Sequence, residues 1–412
     1  MDNGKKNLML MVPMLHQGGF ERVCVKTARL MQKYYNVYIL IFTDRDMFFD
    51  VSDLNVINID VPASNSKLSR VINVLRRVHK VKKIKKELGI DICYSFGSSA
   101  NYVNALSGVG EKLYTGLRGQ TDLDNPKFIN LFCRNSTQVI ACSRDIVRQL
   151  ETEFDYHKGT YIYNPLDTEE VQGKATEPVT DMPFCTGAKS KDNAGAGKSA
   201  DAKIIVSLGR DDYLKGFWHL VKAFALAEKT HPEARLLILG DGDWTRYEAL
   251  TEALGIKDKV SFPGAKKNPF PYAAASDIYV CTSNHEGFPN AVLEAMALKK
   301  PIISTDCKTG PREILLSDEE YDDITKRYPN GASVKDIEQG AYGILVPNMD
   351  EQENLDPTVI TEEEKVLAKA LELLLGDDEL SEHYAQKALE RAMLYTPDRY
   401  ADNLREIFER NN

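Results

Sequence analysis

Two consecutive series of strand-period and helix-period segments constrain this chain more than anything else in it. In the first, apolar strand-like runs at 8–12, 37–42, 56–59, 90–96, 112–117, 138–142 and 160–163 alternate with helix-period segments at 20–34, 67–88, 100–106, 126–135 and 144–152. In the second, strand-like runs at 204–208, 234–239, 260–262, 277–281, 301–305 and 341–346 alternate with helical segments at 216–229, 244–254, 271–275 and 311–316. The remainder, 361–375, 379–394 and 397–410, reads as helix. Short, continuously apolar runs are strands buried on both faces, and their alternation with helices requires right-handed crossovers in a parallel sheet. The expected fold is therefore α/β: two Rossmann-like, doubly wound parallel-sheet domains facing a cleft. Such sheets bind ligands beyond the C-terminal ends of their strands, and a cleft between two such domains is the expected binding site.

Between the two series, from about 171 to 201, periodicity vanishes and Gly, Ala, Ser, Lys and Asp dominate. This predicts a flexible, linker-like insertion, and residues 317–339, polar and acidic, read as a second excursion. The segment Ala194-Gly195-Ala196-Gly197-Lys198-Ser199 imitates a phosphate-binding P-loop. Asp192 stands where the first glycine belongs, no strand precedes it, and a strand rather than a helix follows, so the motif is rejected. A length of 412 residues suits two or three domains. The net charge of −9 argues against bulk attraction to nucleic acid or membrane and leaves only local attraction. Seven cysteines are scattered without CxxC spacing, several in apolar runs, as expected of buried thiols in a reducing compartment. No leader is expected, because 7–12 is too short an apolar segment and Pro13 and His16 follow it; no window approaches the 18 apolar residues of a membrane span.

Four clusters can carry chemistry. In Glu286-Gly287-Phe288-Pro289-Asn290 through Glu294, a strand leads into a helix with Pro289 close to its first position, and Glu294 lies about two turns in. Carboxylates accept hydroxyl hydrogen bonds, and the free amides of a helix start accept phosphate oxygens. One such element can hold a sugar, a phosphate and a ribose; the plain alternative is a surface Glu and a helical Glu with no shared role. Arg210 leaves a strand end and Lys215 comes as the next helix starts. They are either two solvated cations or a pair suited to a diphosphate whose charge grows as it leaves. Gly18-Gly19 joins a strand to a helix, a tight turn or an anion approach. Gly240-Asp241-Gly242-Asp243 reads as turn and helix-capping chemistry rather than a metal site. Finally, 67–88 places Leu68, Val71, Ile72, Leu75, Val78, Ile84 and Leu88 near one face, expected to pack inward, and nine Lys or Arg on the others. Either it is a solvated helix, or its basic face meets an anionic membrane surface or a lipid-diphosphate acceptor.

With these clusters in this order, the chain resembles the retaining glycosyltransferases of family 4, the "group 1" transferases of GT-B fold, over nearly its whole length apart from 171–201 and 317–340. The resemblance implies that Glu286 bonds hydroxyls of the donor sugar, that Gly287, Phe288, Pro289 and Asn290 form the wall near sugar and diphosphate, and that Glu294 binds the ribose. It implies that Arg210 and Lys215 neutralise the leaving diphosphate and that Gly18 or Gly19 approaches it. It implies no metal and no cofactor, the nucleotide sugar being a co-substrate, and no strong protein base, because the leaving phosphate helps to deprotonate the acceptor. Many relatives carry a histidine after the strand at 112–117, where this chain has Arg118-Gly119-Gln120. Arg118 binds an anionic acceptor or the donor, or pairs locally. The resemblance also has the final helix cross back to the first domain, giving the expected division 1–170, 171–201, 202–395 and 396–412.

The expectation is a cytoplasmic transferase, peripheral on the inner face of the membrane, moving a hexose or N-acetylhexosamine from a UDP-sugar with retention. The acceptor is a glycan or lipid-diphosphate-linked glycan, and nucleic acid is not a partner. Ser304-Thr305-Asp306 with Gly310-Pro311-Arg312-Glu313 resembles bacterial surface-polysaccharide members, pointing to capsule or lipopolysaccharide assembly. The rivals are another GT-B enzyme, such as a nucleotide-sugar epimerase, and an inactive sugar-nucleotide-binding partner subunit.

Overall fold

The computed structural model describes residues 4–63, 66–179, 181–184, 202–329 and 331–410. The P-loop-like segment 194–199 lies outside the described residues. Contacts divide the chain into two units, Met1–Pro165 with Thr396–Asn412, and Leu166–Tyr395.

The first unit runs β1 (Asn7–Val12), α1 (Gly19–Met31), β2 (Asn36–Ile41), β3 (Asn55–Asn58), α2 (Lys67–Glu87), β4 (Ile92–Phe96), α3 (Ser98–Leu106), β5 (Lys112–Leu117), α4 (Pro126–Asn135), β6 (Gln138–Ala141), α5 (Arg144–Phe154) and β7 (Thr160–Tyr161). Its seven strands are all parallel, in the order β3-β2-β1-β4-β5-β6-β7. The period of two along β1 sorts its side chains to two cores. Leu8, Leu10 and Val12 join the core of α1 and the last helix, while Met9 and Met11 join that of Val81 on α2 and Ala100 and Val103 on α3. The last helix, α15 (Pro397–Glu409), is N-capped by Thr396 and belongs to this unit. Its Phe408 ring packs against Tyr35, Tyr94 and Tyr114, and Tyr400 shares a 2.8 Å hydrogen bond with Thr27.

The second unit opens with α6 (Thr168–Ala175), then β8 (Lys203–Leu208), α7 (Phe217–Ala227), β9 (Ala234–Leu239), α8 (Thr245–Ala253), β10 (Val260–Ser261), α9 (Phe270–Ala274), β11 (Ile278–Cys281), α10 (Asn290–Ala297), β12 (Ile302–Thr305), α11 (Pro311–Leu315), α12 (Asp318–Arg327), β13 (Glu338–Gly340), β14 (Gly343–Val346), α13 (Glu362–Gly376) and α14 (Asp378–Ala392). Its sheet has the order β10-β9-β8-β11-β12-β14-β13, parallel except for the antiparallel edge pair β13–β14. Both sheets reverse order between their inner parallel strands, β1 and β4 in the first and β8 and β11 in the second. Ligands of doubly wound sheets bind at that reversal, beyond the strand C-termini.

Three expectations are corrected. The segment expected to be linker-like from 171 is helical to Ala175: Asp167 caps α6 by accepting from the Glu170 amide, and Val171 is buried. The excursion expected at 317–339 contains α12 and β13. Ser317 and Glu320 form a reciprocal capping box, and Tyr321 and Ile324, three residues apart, bury one face. The apolar stripe of α2 does not pack inward along its length. Val71, Ile72 and Leu75 are 60%, 40% and 64% exposed, whereas Val81 and the supposedly solvated Lys85 are fully buried. A helix of 21 residues is roughly 30 Å long, whereas a strand of five or six residues spans about 20 Å. The N-terminal half of α2 therefore overhangs the layer that its C-terminal half covers.

Candidate active site

The reversal between β8 and β11 gathers the second unit's candidate residues. Arg210 follows β8, Glu286 lies in the loop between β11 and α10, and the loop after β12 lies beside it. A tight 3-10 turn at Tyr213–Lys215, capped by Asp212, carries Lys215. Gly216 ends it at φ 58°, where a Cβ would run into the Thr282 carbonyl, so the close approach requires glycine. The turn is fastened to the β11 loop: Thr282 Oγ1 donates to the Lys215 carbonyl at 2.9 Å and the Asn284 amide to the Leu214 carbonyl at 2.8 Å.

This fastening sets Lys215 Nζ 2.7 Å from Glu286 Oε1, with side chains 30% and 14% exposed. Burial pushes the Lys215 ammonium down, but the charge of Glu286 and the bond between them prevail and hold it above the ordinary lysine value. Burial, and then Glu286, push the thiols of Cys281 and Cys307 up, so both stay neutral. The nearby Arg246 is held by Asp211, at 2.6 and 2.7 Å, and by Glu353. Arg210 is exposed and makes no hydrogen bond or ion pair among the described residues. One cation at this reversal is thus paired with the candidate sugar-binding carboxylate, and another is available.

The loop itself is pinned from below. Thr305 Oγ1 donates to the Ser283 carbonyl at 2.6 Å, and Thr309 Oγ1 donates to the Glu286 carbonyl. Pro289 is the N-cap and α10 starts at Asn290, so Glu294 is the fifth helical residue, little more than one turn in and not two. Gly287, Phe288 and Pro289 are buried, and the Phe288 ring turns inward onto Tyr395, leaving the wall to backbone and to Asn290. Asp243 accepts from the amide and hydroxyl of Thr245, which is turn chemistry.

In the first unit Gly18 is the N-cap of α1, with the Glu21 carboxylate lying against it, and Gly19 is exposed. Arg118, just past β5, donates to Asn164 Oδ1 and lies 5.5 Å from the Phe96 ring centre. Its partners there are uncharged, and no carboxylate lies within ion-pair distance among the described residues. Asp122 takes the backbone amides of Arg118 and Gly119 instead, and burial holds its carboxyl above the usual range despite those bonds.

Sequence reasoning missed the pinning residues Thr282, Thr305 and Thr309. Each stands within four residues of the end of β11 or β12, and that placement is the signal that would have found them once the two strands were known to be neighbours.

Two mononucleotide-type units with these sites define the GT-B fold, and solved structures agree. Anabaena Alr3699/HepE, solved in complex with UDP and glucose, aligns over 98% of this chain and 99% of its own at 16% identity and TM-score 0.66. Residues 189–336 match the model of the group 1 glycosyl transferases, so that segment is similar to that family. An uncharacterized glycosyltransferase of Methanocaldococcus jannaschii is 36% identical over 47% of this chain and 46% of its own length, so that match spans about half of the relative. The Campylobacter jejuni N-acetylgalactosamine-N,N'-diacetylbacillosaminyl-diphospho-undecaprenol 4-alpha-N-acetylgalactosaminyltransferase is 24% identical over 95% of this chain and 96% of its own.

Proposed function

We propose that this protein moves a hexose or N-acetylhexosamine from a UDP-sugar, with retention, onto a glycan carried by a lipid diphosphate in surface-polysaccharide assembly. The carrying observation is the reversal between β8 and β11, where Lys215 holds Glu286 and Arg210 stands unpaired among the described residues. An arriving diphosphate draws Lys215 toward itself alongside Arg210 and frees the Glu286 carboxylate for sugar hydroxyls. Glu294 takes the ribose hydroxyls, and the first amides of α10 face the phosphates. In the reaction the bond from the anomeric carbon to the phosphate oxygen breaks. A bond to the acceptor oxygen forms on the same face, and the acceptor proton goes to the leaving phosphate. Preorganised cations stabilise the charge on that phosphate, so no metal or cofactor is assigned. The UDP found with the Anabaena neighbour supports the choice of nucleotide.

The donor is tested by thermal shift against UDP-, GDP- and ADP-sugars. Ligand at about 100 times its Kd adds about 2.7 kcal/mol of stability, so the midpoint should rise by several degrees with UDP-sugars alone. A rise only with GDP- or ADP-sugars overturns the nucleotide, and UDP release that no glycan acceptor accelerates overturns the transferase reading.

The lipid-linked acceptor is supported by the Campylobacter relative's stated substrate and by α2. Its exposed Val71, Ile72 and Leu75 share the overhanging half with exposed Arg70 and Arg76. A groove of about 730 Å³ beside them is lined by Pro62, Leu75, Arg76, His79 and Lys80 among others. Apolar side chains flanked by cations suit acyl chains beneath anionic headgroups, each cation adding about 1 kcal/mol near such a surface. Flotation with anionic liposomes at low salt should carry the protein to the top. Val71→Ser, Ile72→Ser and Leu75→Ser together should abolish flotation without moving the midpoint; equal flotation of the triple variant removes the assignment. No helix among the described residues is long and apolar enough to cross a membrane.

A further inference from the structure

The loop that carries Glu286 belongs to a closed ring of contacts that the chemistry above does not use. Phe288 is 3% exposed, and its ring stands edge-on to Tyr395 at 5.4 Å between centroids, with the planes at 71°. The Arg391 guanidinium lies 5.5 Å from the Tyr395 ring centre and 4.8 Å from that of Tyr342. Arg391 also donates through Nε to the Ile314 carbonyl at 3.2 Å and through Nη2 to the Glu313 carbonyl. Those carbonyls belong to α11, whose N-cap Gly310, at φ 94°, is pressed so close that a Cβ there would lie 2.9 Å from the Gly287 carbonyl oxygen and 2.8 Å from Pro289 Cδ. Thr309, one residue earlier, donates to the Glu286 carbonyl. The path from 286–289 through Tyr395, Arg391, α11 and Gly310 thus returns to 286–289.

Tyr395 has a second attachment. It is the last residue of the second unit, Leu166 is the first, and the Leu166 amide donates to the Tyr395 carbonyl at 2.7 Å. The two points where the chain passes between units are therefore tied to each other at the residue whose ring backs the candidate sugar wall.

We propose that Tyr395 is a positioning residue: its ring fixes Phe288, and with it the backbone of 286–289, in register with the chain crossings at 165–166 and 395–396. A loop held this way is ordered before ligand arrives, so the cost of ordering it is not charged against sugar binding. This rests on the reading of 286–289 as the sugar wall, and the test separates the two. An edge-to-face ring pair and a guanidinium over a ring are interactions that a leucine of similar bulk cannot make. Phenylalanine keeps both.

The experiment compares intact wild type, Tyr395→Phe and Tyr395→Leu by amide hydrogen exchange over 284–290 and by binding of UDP and of UDP-N-acetylgalactosamine. Exchange in the free protein should quicken about tenfold in Tyr395→Leu and stay at wild type in Tyr395→Phe. Affinity for the UDP-sugar should fall about tenfold in Tyr395→Leu while affinity for UDP alone is unchanged. Phe288→Leu added to Tyr395→Leu should bring no further loss, because both act through one contact. Exchange at 284–290 unchanged in Tyr395→Leu, or equal losses for UDP and UDP-sugar, overturns the proposal. Failure of wild type to bind either nucleotide instead overturns the functional reading, and the exchange comparison still decides the ring.

Discussion

Arg210→Ala combined with Lys215→Ala is expected to lower kcat/KM by about 10³–10⁴, since removing one preorganised partner of a developing charge costs roughly 10²–10³. The two losses should not multiply fully if, as proposed, both cations serve the same leaving group. The single variants separate chemistry from stability. Arg210 is exposed and unpaired among the described residues, so Arg210→Ala should leave the thermal midpoint in place while turnover falls. Lys215→Met strands the Glu286 carboxylate, whose side chain is 14% exposed, so its midpoint should fall too, by a cost of about 1–3 kcal/mol. Lys215→Met with Glu286→Gln should recover the midpoint and not the activity. Steady-state kinetics with calorimetry of the same samples checks this. Full activity in the double alanine variant would remove both residues from the site.

Lys85→Met should be the most destabilising single change in the first unit. Lys85 Nζ lies 2.5 Å from Glu111 Oε1 and 2.8 Å from Asn104 Oδ1, with both charged side chains fully buried. Removing one member of such a pair leaves an uncompensated interior charge at about 3–5 kcal/mol, although the intact pair is worth far less against apolar residues of the same shape. Lys85→Met with Glu111→Leu should therefore recover much of the loss. The pair also predicts a pH dependence. Burial raises the Glu111 carboxyl, but Lys85 and the Val109 amide outweigh it and leave it below the ordinary glutamate value. A depressed carboxyl contributes stability that is present above the unfolded glutamate value near 4.5 and is lost as pH falls through the folded value. The gap between wild type and the Lys85→Met/Glu111→Leu variant should accordingly narrow as pH falls through that acidic window, as read by urea unfolding at a series of pH values.

Lys85 also shows where sequence reading stops. Its position on α2 was legible, but its direction was not. A helical wheel over 67–88 groups apolar residues on one face and cations on the rest, which is correct only for a helix covered along its whole length. Where α2 overhangs, Val71, Ile72 and Leu75 emerge, and where it is covered, a lysine is enclosed because Glu111 and Asn104 wait for it. Phe288 is a parallel case. The motif gave its place in the loop, and Tyr395, 107 positions further on, decides that its ring faces inward.

Local patterns in the chain set most of the elements and the motifs: apolar runs in alternation with helical periods, and glycines, cations and carboxylates at the strand ends. These are local properties, because period and capping depend on neighbours a few residues apart. The partnerships come from the packing of distant segments. Lys215 and Glu286 become partners because the strand order reverses between β8 and β11, bringing together loops more than 70 residues apart in sequence. Which side chain neutralises which follows from that adjacency and from burial, neither of which any local pattern of residues encodes.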